Sequence, residues 1–105
     1  MPKGEIVLIA FPFTNLIDTK IRPCLVLIEA EFDVTISFIT TQTGWNDKAA
    51  LAIKSSVTNG LKKESLIRLN KLATIDKELV MGKIGSLSKD ELAAVNQKLK
   101  EVLQL

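Results

Sequence analysis

Apolar and polar positions in the first two-thirds of the chain follow the short periods of β-strands. Segments 5–11 and 23–28 are apolar runs, and the second is nearly continuous, as in a strand buried on both faces. Residues 33–40 alternate between apolar and polar side chains. Shorter apolar segments at 51–54 and 65–69 are flanked by turn residues. This pattern predicts a mainly-β domain, either a sandwich or a small antiparallel barrel.

The C-terminal segment changes to a helical period. Ser88 and Glu91 stand three positions apart, which is the spacing of a capping box at a helix N-terminus. Apolar residues then recur at helical spacing, namely Leu92, Val95, Leu99 and Val102. We therefore predict one amphipathic helix over about 89–103, packed on the barrel through its apolar stripe. A short helical turn is also predicted around 76–80.

Composition indicates a single domain over residues 1–105. The chain is 47% hydrophobic and 25% charged, which is ordinary for a globular protein. The net charge of +2 is compatible with nucleic-acid binding but does not by itself indicate it. The longest apolar run, 6–13, is as short as a strand and contains a proline, so no membrane span is predicted.

Several kinds of chemistry are excluded by the residues that the chain lacks. There is no histidine, and Cys24 is the single cysteine, which rules out histidine-ligated and thiolate metal sites. We expect neither a metal nor a cofactor. An unpaired cysteine is typical of a reducing compartment, so we expect a cytoplasmic protein in which Cys24 is a small core residue.

Several short segments match a known family in their order and spacing. They are 4–14, the Arg-Pro motif within 21–27, Ile39-Thr40 within 39–42, 65–69, 72–76, 82–87 and the terminal helix. Together they resemble the MazF/PemK toxin family over nearly the whole chain. The resemblance implies an SH3-like small antiparallel barrel of the CcdB–PemK type. It also implies a homodimer, a cognate antitoxin protein, and metal-independent cleavage of single-stranded RNA.

The resemblance assigns two catalytic residues. Arg22, in the Arg-Pro motif, matches the catalytic arginine, and its planar guanidinium suits two phosphate oxygens. An alternative is a surface arginine paired with Asp18 or Glu5. Thr40 matches the catalytic threonine, whose hydroxyl can donate to a phosphate oxygen. Thr41 is easily confused with it, and because strand neighbours point to opposite faces we expect only one of them to serve.

The general base is left open by the sequence. Well-studied family members carry a longer loop before the Arg-Pro motif, with an acidic residue that can serve as the base. Here Asp18 is the only carboxylate in loop 15–20, and it is followed by Lys20. Both are candidates for catalysis or binding, and the short loop also puts activity itself in question.

RNA binding requires positive charge and surfaces on which bases stack. Trp45 could stack on a base, or it could pack under its own loop or in a dimer interface. Cations that could form a basic face are Lys20, Lys48, Lys62, Lys63, Arg68 and Lys71. Of these, Lys62 and Lys63 are equally well explained as solvated charges beside a turn.

Other functions are compatible with the same resemblance. One is a gyrase poison, which would bind a protein and leave Arg22 and Thr40 without a role. Another is an inactive member that only binds its antitoxin or nucleic acid, and a third is a plain SH3-like interaction module. The presence of both motif residues favours the nuclease.

Overall fold

The computed structural model describes residues 1–12, 19–44 and 47–105. These residues form six β-strands, one 3-10 turn and a C-terminal helix. The strands are β1 (Glu5–Pro12), β2 (Thr19–Glu29), β3 (Asp33–Thr40), β4 (Ala50–Ile53), β5 (Ser65–Asp76) and β6 (Val80–Ser86). The 3-10 turn is Lys77–Leu79 and the helix α1 is Lys89–Leu103. The mainly-β class with a C-terminal helix is thus confirmed.

All six strands join in one antiparallel sheet with the order β4-β5-β3-β2-β1-β6. Among the described strands, β4 and β6 are therefore the edges. The turn after β4 packs on β6, where the Ser86 N–H donates to the Thr58 carbonyl at 2.9 Å. Gly60 has φ +73°, and a Cβ there would collide with the Ile84 carbonyl oxygen. The barrel is completed by this turn contact rather than by a β4–β6 ladder.

The sheet buries apolar side chains on both faces. One cluster lies beneath α1 and comprises Ile6, Leu25, Ile39, Ile53, Leu61, Ile67, Leu69, Leu87 and Val95. The other lies on the opposite face and comprises Val7, Ile9, Cys24, Val26, Val34 and Ile36. Consecutive residues of β2 alternate between the two clusters, as strand geometry requires. The apolar run 23–28 is thus buried on both faces over 24–26, whereas Ile28 at its end is 60% exposed, so the prediction holds for the middle of the run and is wrong at its end.

Strand β5 is longer than the sequence predicts because it contains a large bulge. Ser37 pairs with Leu72 and Phe38 pairs with Arg68, so residues 69–71 are inserted opposite a single step of β3. Extra residues of this kind bend a strand without ending it. The polar pair at 70–71 therefore marks the bulge and not the end of the strand.

The predicted helix is confirmed with its capping box. The Ser88 hydroxyl accepts from the Glu91 N–H at 3.1 Å, and the Ser88 N–H donates to Glu91 Oε1 at 2.8 Å. Val95 is fully buried at the centre of the stripe. The 3-10 turn lies where a helical turn was predicted, and Asp76 caps it. In the described part of the chain, no helix combines the length and apolar character needed to cross a bilayer.

Candidate functional site

Strand register brings Arg22 and Thr40 to the same part of the same face. Cys24 of β2 pairs with Phe38 of β3. Arg22 is two residues before Cys24, and Thr40 is two residues after Phe38, so all four side chains share one face. Both Arg22 and Thr40 line a cleft of about 570 Å³.

The cleft combines positive charge with an aromatic floor. Its lining consists of Phe11, Arg22, Pro23, Phe38, Ile39, Thr40, Thr41, Gln42, Arg68 and Lys71. The Phe11 and Phe38 rings contact each other at 5.1 Å between centroids, with 35° between their planes. The described lining includes three cations and no carboxylate. Such a surface suits an anion that carries flat apolar groups, as a nucleic acid strand does.

Thr40 is half-buried, and its hydroxyl already has one partner. Its Oγ1 accepts from the backbone N–H of Gln42 at 3.1 Å. A hydroxyl that accepts in this way still has its own proton to donate to a ligand oxygen. Thr40 is therefore suited to donate a hydrogen bond into the cleft.

Thr41 borders the cleft together with Thr40. The alternation argument does not separate Thr41 from Thr40, because it assumed that both belong to a strand, and which of the two hydroxyls serves stays a prediction. Strand β3 ends at Thr40, and Thr41 is an exposed bend residue, so the alternation rule does not apply to it.

Arg22 is exposed at the rim of the cleft. The alternative in which it pairs with Glu5 is wrong, because the Glu5 carboxylate pairs with Lys83 Nζ at 2.9 Å. The alternative partner Asp18 lies outside the described residues. The position of Arg22 in β2 places its side chain beside the cleft.

Arg68 reaches the cleft from β5 and is held by its neighbours. Its Nη2 lies 3.8 Å from Asp47 Oδ2, and Asp47 Oδ1 accepts from the Ala49 N–H at 2.9 Å. The Arg68 carbonyl accepts from the Ser37 hydroxyl at 2.7 Å. Arg68 therefore contributes a half-buried cation, ion-paired with Asp47, to one wall.

Two other predicted binding residues, Lys20 and Lys48, are not brought into the cleft. Lys20 lies opposite Phe11 in the β1–β2 ladder, and Lys48 follows Asp47. Both are exposed, and neither is among the lining residues. Trp45, like Asp18, lies outside the described residues.

Sequence reasoning missed the roles of three lining residues. Phe11 and Phe38 pack against the apolar cluster that contains Val7 and Ile9 and also line the cleft, and neither was singled out as a site residue. Gln42 was not singled out. Recognising them required the register of β1, β2 and β3, which the sequence pattern does not supply.

Cys24 is fully buried, as expected of a core residue. Burial in the apolar cluster raises the pKa of its thiol to about 12, because the charged thiolate is poorly solvated there. It is therefore not an activated nucleophile, although it is two residues from Arg22. Within the ranges that the structure describes, no three His, Cys, Asp or Glu side chains are grouped so that they could hold a metal ion.

Fold and cleft define a small curved antiparallel β-barrel protein with a cationic, aromatic-floored cleft at the ends of β2 and β3. The family model for the PemK-like, MazF-like toxin of type II toxin–antitoxin systems matches residues 2–103. The chain therefore belongs to this family. No match to a curated protein is found.

Mycobacterial proteins are among the solved structures with the same fold. The Mycobacterium tuberculosis toxin MazF-mt6 is 22% identical, with a TM-score of 0.78 over 96% of this chain and 97% of that one. An endoribonuclease in complex with its cognate antitoxin, from a mycobacterial species, is 17% identical, with a TM-score of 0.79 over 100% and 97% of the two chains. At this level of identity, the likeness supports the fold alone.

Proposed function

We propose that this toxin is an endoribonuclease that cleaves single-stranded RNA through the substrate's own 2′-OH, without a metal ion. The observation that carries the proposal is the shared cleft of Arg22 and Thr40, with an aromatic floor beneath them. A gyrase poison would leave both side chains without a role, and for this reason the cleft favours the nuclease.

In the proposed reaction, the 2′-oxygen attacks the adjacent phosphorus and the bond from phosphorus to the 5′-oxygen breaks. The 2′-OH proton passes to a base, and the departing 5′-oxygen takes up a proton. The Arg22 guanidinium spans two phosphate oxygens as negative charge develops on them, and the Thr40 hydroxyl donates to one of them. A preorganised donor of this type lowers the barrier by about 3 kcal/mol.

We assign Asp18 as the candidate base. In the sequence it lies in the connection between the end of β1 at Pro12 and the start of β2 at Thr19. Phe11 and Arg22, close to the two ends of this connection, both line the cleft. None of the described residues that line the cleft is a carboxylate, so a base from this connection would supply the proton acceptor that the reaction needs.

Substrate binding is assigned to the floor and the cations. Phe11 and Phe38 offer a surface on which a base stacks, which contributes about 1–3 kcal/mol per base. Arg68 and Lys71 flank the path of the phosphates. We propose that Trp45, Lys20 and Lys48 also bind the RNA.

We further propose a cognate antitoxin and a homodimer as partners, in the cytoplasm. One structural neighbour is an endoribonuclease bound to its cognate antitoxin. This chain exposes large apolar side chains that a partner would cover, among them Ile21, Ile28, Phe32, Leu72, Met81, Leu103 and Leu105. The free thiol of Cys24 suits a reducing compartment.

The test is incubation of the pure protein with a long single-stranded RNA in excess EDTA. We expect cleavage of RNA and not of DNA, with 5′-hydroxyl ends that polynucleotide kinase labels without prior phosphatase. Arg22→Ala is the control for a contaminating nuclease and should be inactive. Cleavage that requires added magnesium, or that leaves 5′-phosphate ends, would overturn the mechanism.

A further inference from the structure

A second pocket of about 360 Å³ adjoins the cleft and is lined mainly by apolar surface. Leu8, Leu61 and Ile84 form its walls, and Lys62 and Lys63 stand at its rim. Pro23 and Thr41 line both this pocket and the cleft, so the two cavities are neighbours at these two residues.

The two cavities open on opposite faces of the sheet and meet at its end. Leu8 pairs with Pro23 and lies on the face of Ile6, whereas Arg22 lies on the face of Cys24. Strand β3 stops at Thr40, and among the described residues Pro23 and the exposed bend at Thr41 border both cavities. A flexible polymer that occupies the cleft can therefore continue over Thr41 into the pocket.

We propose that this pocket binds a nucleotide of the RNA strand on one side of the scissile phosphate. The apolar walls receive the base, and the exposed ammonium groups of Lys62 and Lys63 pair with backbone phosphate. This inference rests on the proposed function, since it is the cleft that places RNA at Thr41. An acidic peptide with an apolar side chain has similar chemistry, but continuity with the cleft favours RNA.

Salt dependence of binding tests the phosphate pairing. The ligand is a fluorescein-labelled, fully 2′-O-methylated RNA 20-mer of mixed sequence, which the proposed reaction cannot cleave. The variant is Lys62→Ala with Lys63→Ala, and the control is Lys89→Ala with Lys100→Ala, which removes the same charge from exposed positions of α1. In the pocket variant, we expect the magnitude of the slope of log K against log salt to decrease by about 0.7 for each phosphate that is no longer neutralised. The control variant should keep the wild-type slope.

Base occupancy is tested with abasic substitutions on either side of the cut found in the EDTA assay. We expect one neighbouring position at which removal of the base weakens binding about tenfold in the wild-type protein. The same substitution should have a smaller effect in Lys62→Ala with Lys63→Ala, because the apolar walls and the two lysines hold one nucleotide.

The outcomes separate this inference from the proposed function. If RNA is not cleaved but the pocket variant alone changes the salt slope, the nuclease proposal fails, and the pocket still binds RNA although not beside a scissile phosphate. If RNA is cleaved and the pocket and control variants have equal slopes, the pocket assignment is wrong. Unchanged RNA binding together with weaker binding of a Leu-containing polyglutamate peptide would assign the pocket to a protein partner instead.

Discussion

The Thr40 hydroxyl accepts a hydrogen bond from the Gln42 backbone N–H at 3.1 Å. This contact fixes one lone pair of the hydroxyl and so restricts the directions in which its proton can point. Because Thr40 is the last residue of β3, the chain turns immediately after it, and the turn supplies the donor. The local fold therefore preorganises a hydrogen-bond donor beside Arg22.

Replacing Thr40 by valine should remove this donor with little change of shape. We expect kcat for RNA cleavage to fall about 100-fold, as when one donor is removed from a preorganised anion site. Thr40→Ser keeps the hydroxyl and should retain most of the activity. Single-turnover kinetics on a defined oligonucleotide measure both variants, and wild-type kcat in Thr40→Val would remove Thr40 from the mechanism.

Arg22→Ala should abolish both RNA cleavage and growth inhibition. Arg22→Lys should also lose most of its activity, because an ammonium is a point charge and cannot span two phosphate oxygens. Since Arg22 is exposed, both variants should keep the wild-type Tm to within the small shifts of surface substitutions. Cleavage assays and thermal melts test this pair, and full activity in Arg22→Lys would indicate that charge alone is sufficient.

The elements that local sequence determines were predictable. Helix α1 has its own cap and stripe in Ser88, Glu91 and Val95, and strand β3 alternates between polar and apolar residues over 33–38, so both were predicted with their observed ends. Strand β6 was not predicted from the pattern. It contains Gly82 and Gly85 and is stabilised by pairing with β1, which no local propensity encodes.

The candidate site was predictable only in part, because it depends on register. The family motifs indicated Arg22 and Thr40. Their common face then follows from the pairing of β2 with β3, because alternate residues of a strand point to the same side. Lys71 enters the cleft because of the bulge in β5, and no sequence rule predicted that insertion. The paired rings of Phe11 and Phe38 likewise require strands that are distant in sequence to be aligned.

Asn59 holds the turn that completes the barrel, and its replacement by alanine should destabilise the fold. Its fully buried side chain accepts from the N–H groups of Ser56 and Leu61 and donates to the Lys54 carbonyl. Removing the amide leaves these buried polar groups unsatisfied, at a cost of about 3 kcal/mol. Tm should fall by roughly 10–20 °C.

The matched control for Asn59 lies in the same turn. Val57 is fully exposed, so Val57→Ala should leave the free energy of unfolding within about 0.5 kcal/mol of wild type. Chemical denaturation of both variants gives the comparison. Equal stabilities for the two would show that the hydrogen bonds of Asn59 do not stabilise this turn.

Cys24 should be unreactive toward iodoacetamide in the native protein, although it lies two residues from the catalytic candidate Arg22. Burial raises its pKa to about 12, so at pH 8 roughly one thiol in ten thousand is ionised, against about a quarter for an ordinary cysteine. The reagent also has no access to a side chain with no exposed surface. Labelling followed by mass spectrometry should therefore require unfolding, and it should become rapid in denaturing guanidinium chloride.

Cys24→Ala should still cleave RNA, because the proposed reaction uses the substrate's 2′-OH as its nucleophile. Rapid labelling of the native protein, together with loss of cleavage in Cys24→Ala at unchanged stability, would instead assign a chemical role to the thiol.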